Sequence, residues 1–257
     1  MEWVAVSEAV SRETPPTPDE AAGVFLDTLP LAEQLARLLA DQGVLRGLIG
    51  PREAPRLWER HLLNCALLGR AIGPGLDVCD IGSGAGLPGL VLALARPDLS
   101  VTLVEPLLRR TTFLAEATEQ LGLTNVRIER CRAEELPGRE EFAVVTSRAV
   151  APLGRLAQWS LPLVRPGGEM VAMKGSTARA EILEAERVLR KLKAGRVLVE
   201  EYGAGVVDPP TTVVRVEATA SSRLGLWAGE PHGARHEGDG DRRRAGAARP
   251  RTRREER

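Results

Sequence analysis

The chain has 257 residues, 43% of them hydrophobic, and its 35 basic and 35 acidic side chains cancel to a formal charge of zero. That length supports one medium core plus appendages. No stretch approaches the length of a membrane span, the start lacks the basic, long-apolar pattern of a signal peptide, and Cys65, Cys79 and Cys131 show no metal-ligand spacing. Membrane-embedded, exported and metal-centred classes are therefore set aside, and a cytoplasmic protein with reduced thiols is expected.

Residues 1–16 are polar and contain proline, and are expected to be disordered. Thr17-Pro-Asp-Glu20 offers a capping residue followed by a proline at the first helical position. Leu31, Leu35, Leu38 and Leu39 share one helical face, predicting a helix that ends at Gly43. A further helix is expected from Pro55 to Arg70, with Trp58, Leu62, Cys65, Ala66 and Leu68 turned inward. Residues 17–75 thus form a helical part ahead of the core.

From Leu76 the pattern alternates strand and helix, which implies a parallel sheet with right-handed crossovers. Strands are expected at Leu76–Ile81, Val101–Glu105, Val126–Arg130, Phe142–Thr146 and Glu169–Met173, the last preceded by a turn at Arg165-Pro-Gly-Gly168. Helices are expected at Leu90–Ala95, Leu107–Leu121, Leu153–Leu161 and Ala178–Lys193. Arg196–Glu201 and Thr212–Glu217 have β-rich composition and close the sheet as a pair. Residues 76–218 make the Rossmann-like core, and 17–218 together make one domain. Residues 219–257, with an acid-free arginine run from Arg242 to Arg254, are expected to be a disordered tail with weak electrostatic affinity for RNA at most.

The centre of this organisation is Asp80-Ile-Gly-Ser-Gly-Ala-Gly-Leu-Pro-Gly89, between the first strand and its helix. Gly82, Gly84 and Gly86 let a ligand lie against backbone. Asp80 places a charge at the strand tip, where open α/β sheets bind ligands. Glu105, at the end of the second strand and roughly 20 residues on, suits the two hydroxyls of a ribose. Gly84-Ala-Gly-Leu-Pro-Gly89 also satisfies the dinucleotide fingerprint G-x-G-x-x-G, so a nicotinamide cofactor is one reading. The acid two residues before the first glycine favours S-adenosylmethionine, whose methionine end carries an ammonium and no phosphate.

The strand tips align Asp80, Glu105, Ala133-Glu134, Ser147-Arg148 and Lys174-Gly175 along one edge. With Arg60-His61-Leu62, Arg109-Arg110-Thr-Thr-Phe-Leu114, Cys131-Arg-Ala-Glu134, Thr146-Ser-Arg-Ala149 and Ala172-Met-Lys-Gly175, the chain resembles the RsmG (GidB) family from about Pro55 to Glu217. That resemblance implies a class I S-adenosylmethionine-dependent methyltransferase sheet acting on guanine N7 in 16S ribosomal RNA. Naked 16S RNA and the 30S subunit both stand as substrates, and a monomer is expected. It implies cofactor contacts at Gly82 and Leu87, at Ala133 and Glu134 for the adenine end, and at Arg148. Arg60, His61 and Lys174 are expected at the RNA side of the pocket. The sequence departs from the family at Gly47–Pro55, where a lysine-, tryptophan- and asparagine-rich segment is replaced.

Guanine N7 has an in-plane lone pair and no proton, so no catalytic base is expected. Methyltransferases for exocyclic amines typically carry Asp/Asn-Pro-Pro-aromatic after the fourth strand, where this chain has Ser147-Arg-Ala149. Asp208-Pro-Pro-Thr211 lies elsewhere and is read as a loop. Two other functions compete: an NAD(P)-dependent oxidoreductase on the same glycine loop, although no Tyr-Lys or His-centred hydride-transfer set is apparent, and a non-catalytic RNA-binding module.

Overall fold

The computed structural model describes residues 16–136, 141–148 and 150–222. The expectations for residues 1–15 and for the arginine-rich tail beyond Ser222 lie outside the described residues. Seven strands form one sheet: β1 (Asp77–Ile81), β2 (Ser100–Val104), β3 (Val126–Glu129), β4 (Phe142–Arg148), β5 (Val164–Lys174), β6 (Val197–Tyr202) and β7 (Thr211–Glu217). Their order is β3-β2-β1-β4-β5-β7-β6, with β7 antiparallel to both neighbours and the other pairings parallel. The last two strands pair as the sequence predicts. Strand order reverses between β1 and β4, which opens a crevice at the carboxyl ends of the strands.

Two apolar layers sandwich the sheet. On one side α4 (Gly89–Ala95) and α5 (Leu108–Gln120) bury Leu90, Leu92, Phe113 and Leu114 together with the N-terminal helices. On the other, α6 (Leu153–Ser160) and α7 (Ala178–Lys191) bury Leu153, Leu156, Ala185 and Leu189 against Val145, Met170 and Val214. On α7 the expected inner face holds, with Ile182 and Val188 at its half-buried margin. Both faces of the parallel strands are covered, which accounts for their near-continuous apolar sequences.

The N-terminal part contains α1 (Glu20–Phe25), α2 (Leu29–Leu38) and α3 (Leu63–Leu68). The single helix expected over Pro55–Arg70 is instead four joined turns: a tight 3-10 turn at Ala54–Arg56, a wide π turn at Leu57–Leu62, α3, and a 3-10 turn at Gly69–Ala71. Trp58, Leu62, Cys65, Ala66 and Leu68 are buried as expected, and the wide turn buries Leu57 and His61 as well. A π turn rotates successive side chains less than an α turn does, so more of its residues reach one face. Arg96, just past α4, binds the far end of this segment. Its guanidinium donates to the carbonyls of Gly69 at 2.6 Å, Ile72 at 2.9 Å and Gly73 at 3.2 Å, and pairs with Asp98.

Two boundaries differ from expectation. The turn at Arg165-Pro-Gly-Gly168 lies inside β5, because Gly167 N–H and Gly168 C=O both pair with Ala218, at 2.9 Å each. Gly168 also approaches Ala143 O so closely that an added Cβ would lie 2.4 Å from it. Order also runs past Ala218. The Thr219 and Ser222 hydroxyls donate to Lys193 O at 2.8 and 3.0 Å, and Ser222 is buried.

Gly89 starts α4 where there is no room for a side chain, since a Cβ there would meet Leu103 Cδ2 at 2.2 Å and Asp80 Oδ2 at 2.7 Å. Gly89→Ala is expected to lower stability by about 1–3 kcal/mol, the range for overpacking a filled core. Urea unfolding measures it, and an unchanged midpoint would show that the helix start can shift without loss.

Candidate active site at the strand tips

The glycine loop is folded on itself. Gly82 N–H and Ser83 N–H both donate to Val104 O, at 2.8 and 3.2 Å, while Gly86 N–H and Leu87 N–H donate to Ser83 O. Gly84 N–H donates to Glu105 Oε2 at 3.1 Å, and Gly89 N–H to Asp80 Oδ2 at 3.0 Å. A pyrophosphate needs open amides at such a loop and helix start. Here those amides are committed, and two carboxylates stand beside them. The geometry therefore disfavours the dinucleotide reading.

Asp80 has no exposed surface. It lies beneath the loop rather than opening on the crevice, with Oδ2 held by Gly89 and Oδ1 without a hydrogen-bond partner. Burial pushes its carboxyl up to about 7, against the pull of the Gly89 N–H and the Arg148 charge. Glu105 is 1% exposed, and its Oε1 accepts from Leu107 N–H at 3.1 Å while Oε2 also takes Arg110 at 3.2 Å. Gly82 sits at φ +70°, a conformation that favours glycine, and an added Cβ would come within 2.9 Å of Val150. Gly84 and Gly86 also have positive φ, and Leu87 is buried. Ala133 and Glu134 lie on a 3-10 turn after β3, with Glu134 exposed. A carboxylate beneath a bare backbone cradle and an acid at the second strand tip fit a cofactor with a positive charge and a ribose.

Beside the loop lies a cavity of about 1290 Å³. Its walls come from Glu53, Arg60, His61 and Asn64 of the N-terminal segment, from Arg148, Val150 and Lys174 at the tips of β4 and β5, and from Asp208–Thr212. The Asp208-Pro-Pro loop, set aside in the sequence, is thus part of this wall. Only the pairing of β7 with β5 places it there. The Thr211 hydroxyl donates to Asn64 Oδ1 at 2.6 Å, joining loop and helix.

The three residues expected at the RNA side differ in their surroundings. Arg60 is half exposed at 53% and donates to Glu53 Oε1 at 3.3 Å. His61 is buried with both ring nitrogens engaged, Nε2 with Glu53 at 2.9 Å and Nδ1 with Arg148 at 2.6 Å. It has no free ring nitrogen for RNA. The Lys174 ammonium is only 8% exposed and donates to Ala151 O and to Glu181 Oε2, both at 2.8 Å. It pins the segment after β4 to α7 instead of standing open to phosphate. All three residues line the cavity, and His61 and Lys174 do so with their polar atoms engaged by protein partners. Lys174 meets Glu181 seven residues on, whereas His61 joins Glu53 eight residues before it to Arg148, 87 residues after it.

A doubly wound sheet closed by an antiparallel last strand, with acids at the first two strand tips and a loop whose amides are mostly committed, defines the cofactor half of a class I methyltransferase. The chain belongs to the rRNA small subunit methyltransferase G (GidB) family, whose sequence pattern matches residues 28–206. It is 58% identical over 212 residues to a Streptomyces avermitilis protein named ribosomal RNA small subunit methyltransferase G, covering 82% of this chain and 89% of that one. A Nocardioides protein of the same name is 54% identical over 245 residues, 95% of this chain and 96% of its own. One from Thermobifida fusca is 54% identical over 220 residues, covering 86% and 93%.

The buried Asp80 has a consequence for stability. Its folded pKa lies above that of the unfolded chain, so between about pH 4 and 7 the folded protein holds a proton that the unfolded chain has released. Folding stability attributable to this group therefore falls as pH rises through that window and is level above it. Asp80→Asn keeps an acceptor for Gly89 and removes the charge. Denaturation at pH values across the window should show the variant gaining on the parent by up to about 1.4 kcal/mol per pH unit. A constant difference would mean that Asp80 is ionised throughout.

Proposed function

We propose that this chain transfers a methyl group from S-adenosylmethionine to N7 of a guanine in 16S ribosomal RNA of the small subunit, acting as a monomer in the cytoplasm through residues 17–218. One observation carries the N7 reading. Of the acids, histidine and lysine that line the cavity, the buried or half-buried Glu53, His61, Lys174 and Glu181 are paired with one another or with neighbouring groups, and the remaining acids, Glu59, Glu184, Glu201 and Asp208, are exposed. A target with a proton to lose needs a base with an open acceptor. Guanine N7 offers a lone pair and needs only to be held in line with the bond that breaks.

When bound, S-adenosylmethionine supplies an electrophilic methyl group on a sulfonium. The chain's own part is to bind and orient. Glu105 would accept from the ribose hydroxyls, Ala133 and Glu134 would flank the adenine end, and the glycine loop with Gly82, Gly84, Gly86 and Leu87 would lie along the middle. Asp80, buried beneath the loop, would favour the ammonium through its charge rather than by contact, and the Arg148 fork suits the carboxylate of the methionine end. Arg60 at the exposed rim would hold RNA phosphate, which positions the target and makes affinity salt-dependent. The carboxylates around the cavity keep this face from being a purely electrostatic RNA surface, consistent with a chain of zero formal charge.

Two measurements test the assignments. Calorimetric titration should show Glu105→Ala binding S-adenosylmethionine more weakly by about 1.5–3 kcal/mol, and Glu105→Gln losing less because one acceptor remains. Equal affinity in all three proteins would move the ribose elsewhere. For the reaction, Arg60→Ala should leave cofactor affinity nearly intact and slow methyl transfer to RNA with a shallower salt dependence. Single-turnover rates on the saturated complex should lack the rising limb of a general base between about pH 6 and 9. A first-order rise with pH, or mass-spectrometric mapping that finds the methyl group on an exocyclic amine, would exclude N7.

A further inference from the structure

Arg148 ends β4 between the glycine loop and the cavity, and its Nη1 lies 2.6 Å from His61 Nδ1. A guanidinium carries donors and no acceptor, so Nδ1 must be the accepting nitrogen. The one ring proton of a neutral imidazole then sits on Nε2, which lies 2.9 Å from Glu53 Oε2. The three groups form a chain with a single polarity: Glu53 accepts from His61, and His61 accepts from Arg148. The arrangement comes from three separate parts of the fold. Glu53 precedes the tight turn at Ala54, His61 is carried inward by the wide turn Leu57–Leu62, and Arg148 is a strand tip. Glu53 also lies within Gly47–Pro55, the segment where the sequence departs from the resembled family.

We propose that Glu53 and His61 are positioning residues. Glu53 fixes the Nε2–H tautomer, and the free Nδ1 lone pair then clamps one arm of Arg148, leaving the rest of the fork for the carboxylate of the cofactor. This rests on the function proposed above. The Glu53 carboxylate is divided between two neighbours, with Oε2 on His61 and Oε1 on Arg60 at 3.3 Å. The N-terminal segment that borders the cavity is thereby linked to the group that meets the cofactor.

The charge state of the ring agrees with its role. Burial, assisted by the Arg148 charge, lowers the His61 pKa to about 4 against the opposing pull of Glu53, and Arg60 adds to the lowering. Protonation would turn Nδ1 into a donor facing a cation. The folded pKa lies below the ordinary value of about 6.5, so stability from the neutral ring is complete above that pH and is lost as pH falls toward about 4. The clamp is therefore insensitive to pH near neutrality.

The test uses the full chain, 15N-histidine NMR and calorimetric titration with S-adenosylmethionine. In the parent protein His61 should show a pyrrole-like Nε2 and a pyridine-like Nδ1, unchanged between about pH 6 and 8. His61→Leu should weaken cofactor binding about tenfold or more, as expected for losing a hydrogen bond to a charged group. His61→Asn, whose Oδ1 can accept from Arg148, should recover most of that loss. Glu53→Ala should give a mixture of His61 tautomers and intermediate affinity, and Glu53→Gln should restore a single tautomer. Arg148→Ala is measured in parallel. If Arg148→Ala binds the cofactor as the parent does, the placement of the methionine end fails. If Arg148→Ala loses affinity while His61→Leu keeps it, only the positioning inference fails. A parent His61 protonated on Nδ1, or titrating near 6.5 in the folded state, overturns the inference even if His61→Leu does not fold.

Discussion

The site depends on one buried contact, the Asp80 carboxylate beneath the Gly89 amide at 3.0 Å. A carboxylate without exposed surface is expensive to bury, and its carboxyl is driven up to about 7 as a result. In return it ties the end of β1 to the start of α4 and holds the intervening residues 81–88 in a closed turn. Val104 O then collects the Gly82 and Ser83 amides, and Glu105 collects that of Gly84. What remains toward the crevice is backbone without side chains and with few open donors. That surface accommodates a cation-bearing ligand and discourages a phosphate. Gly89 is required because Asp80 and Leu103 already fill the volume a side chain would need.

The N-terminal segment becomes part of the site because it is fastened at both ends of its path. Arg96 donates to three of its carbonyls near Gly69–Gly73, and the Thr28 hydroxyl donates to Leu94 O at 2.9 Å. At the other end, Asn64 meets Thr211 and His61 meets Arg148. The cavity wall is thus held between the helical segment and the tips of β4, β5 and β7. Inside it, the buried charges come in pairs, as they must in a region of low dielectric where a single unpaired charge is costly. That pairing occupies the buried and half-buried charges of the wall, while Glu59, Glu184, Glu201 and Asp208 stand at its exposed margin.

The resemblance read from the motifs and the family match agree, and much of the core was legible because its rules are local. Apolar runs bounded by glycine and proline mark buried parallel strands. The acid-glycine loop marks the crevice, and the turn from β1 through α4 is set within ten residues of sequence. The helical segment was less legible. Over the six residues of Leu57–Leu62 an α repeat and a π turn place nearly the same apolar side chains inward, so the sequence pattern does not distinguish them. The turn at Arg165–Gly168 was likewise drawn into β5 by a partner, Ala218, some 50 residues away.

Residue type and place along the chain were therefore set by sequence alone: a cation at Lys174, a histidine at 61, an arginine at the end of β4, and a proline-rich loop at 208. Their roles were decided by tertiary structure. Lys174 meets Glu181 seven residues on, across the turn into α7, and Arg148 meets a histidine 87 residues earlier. A side chain's charge can be read from its letter. Whether that charge is open to a ligand depends on which distant groups the packed sheet brings within about 3 Å of it.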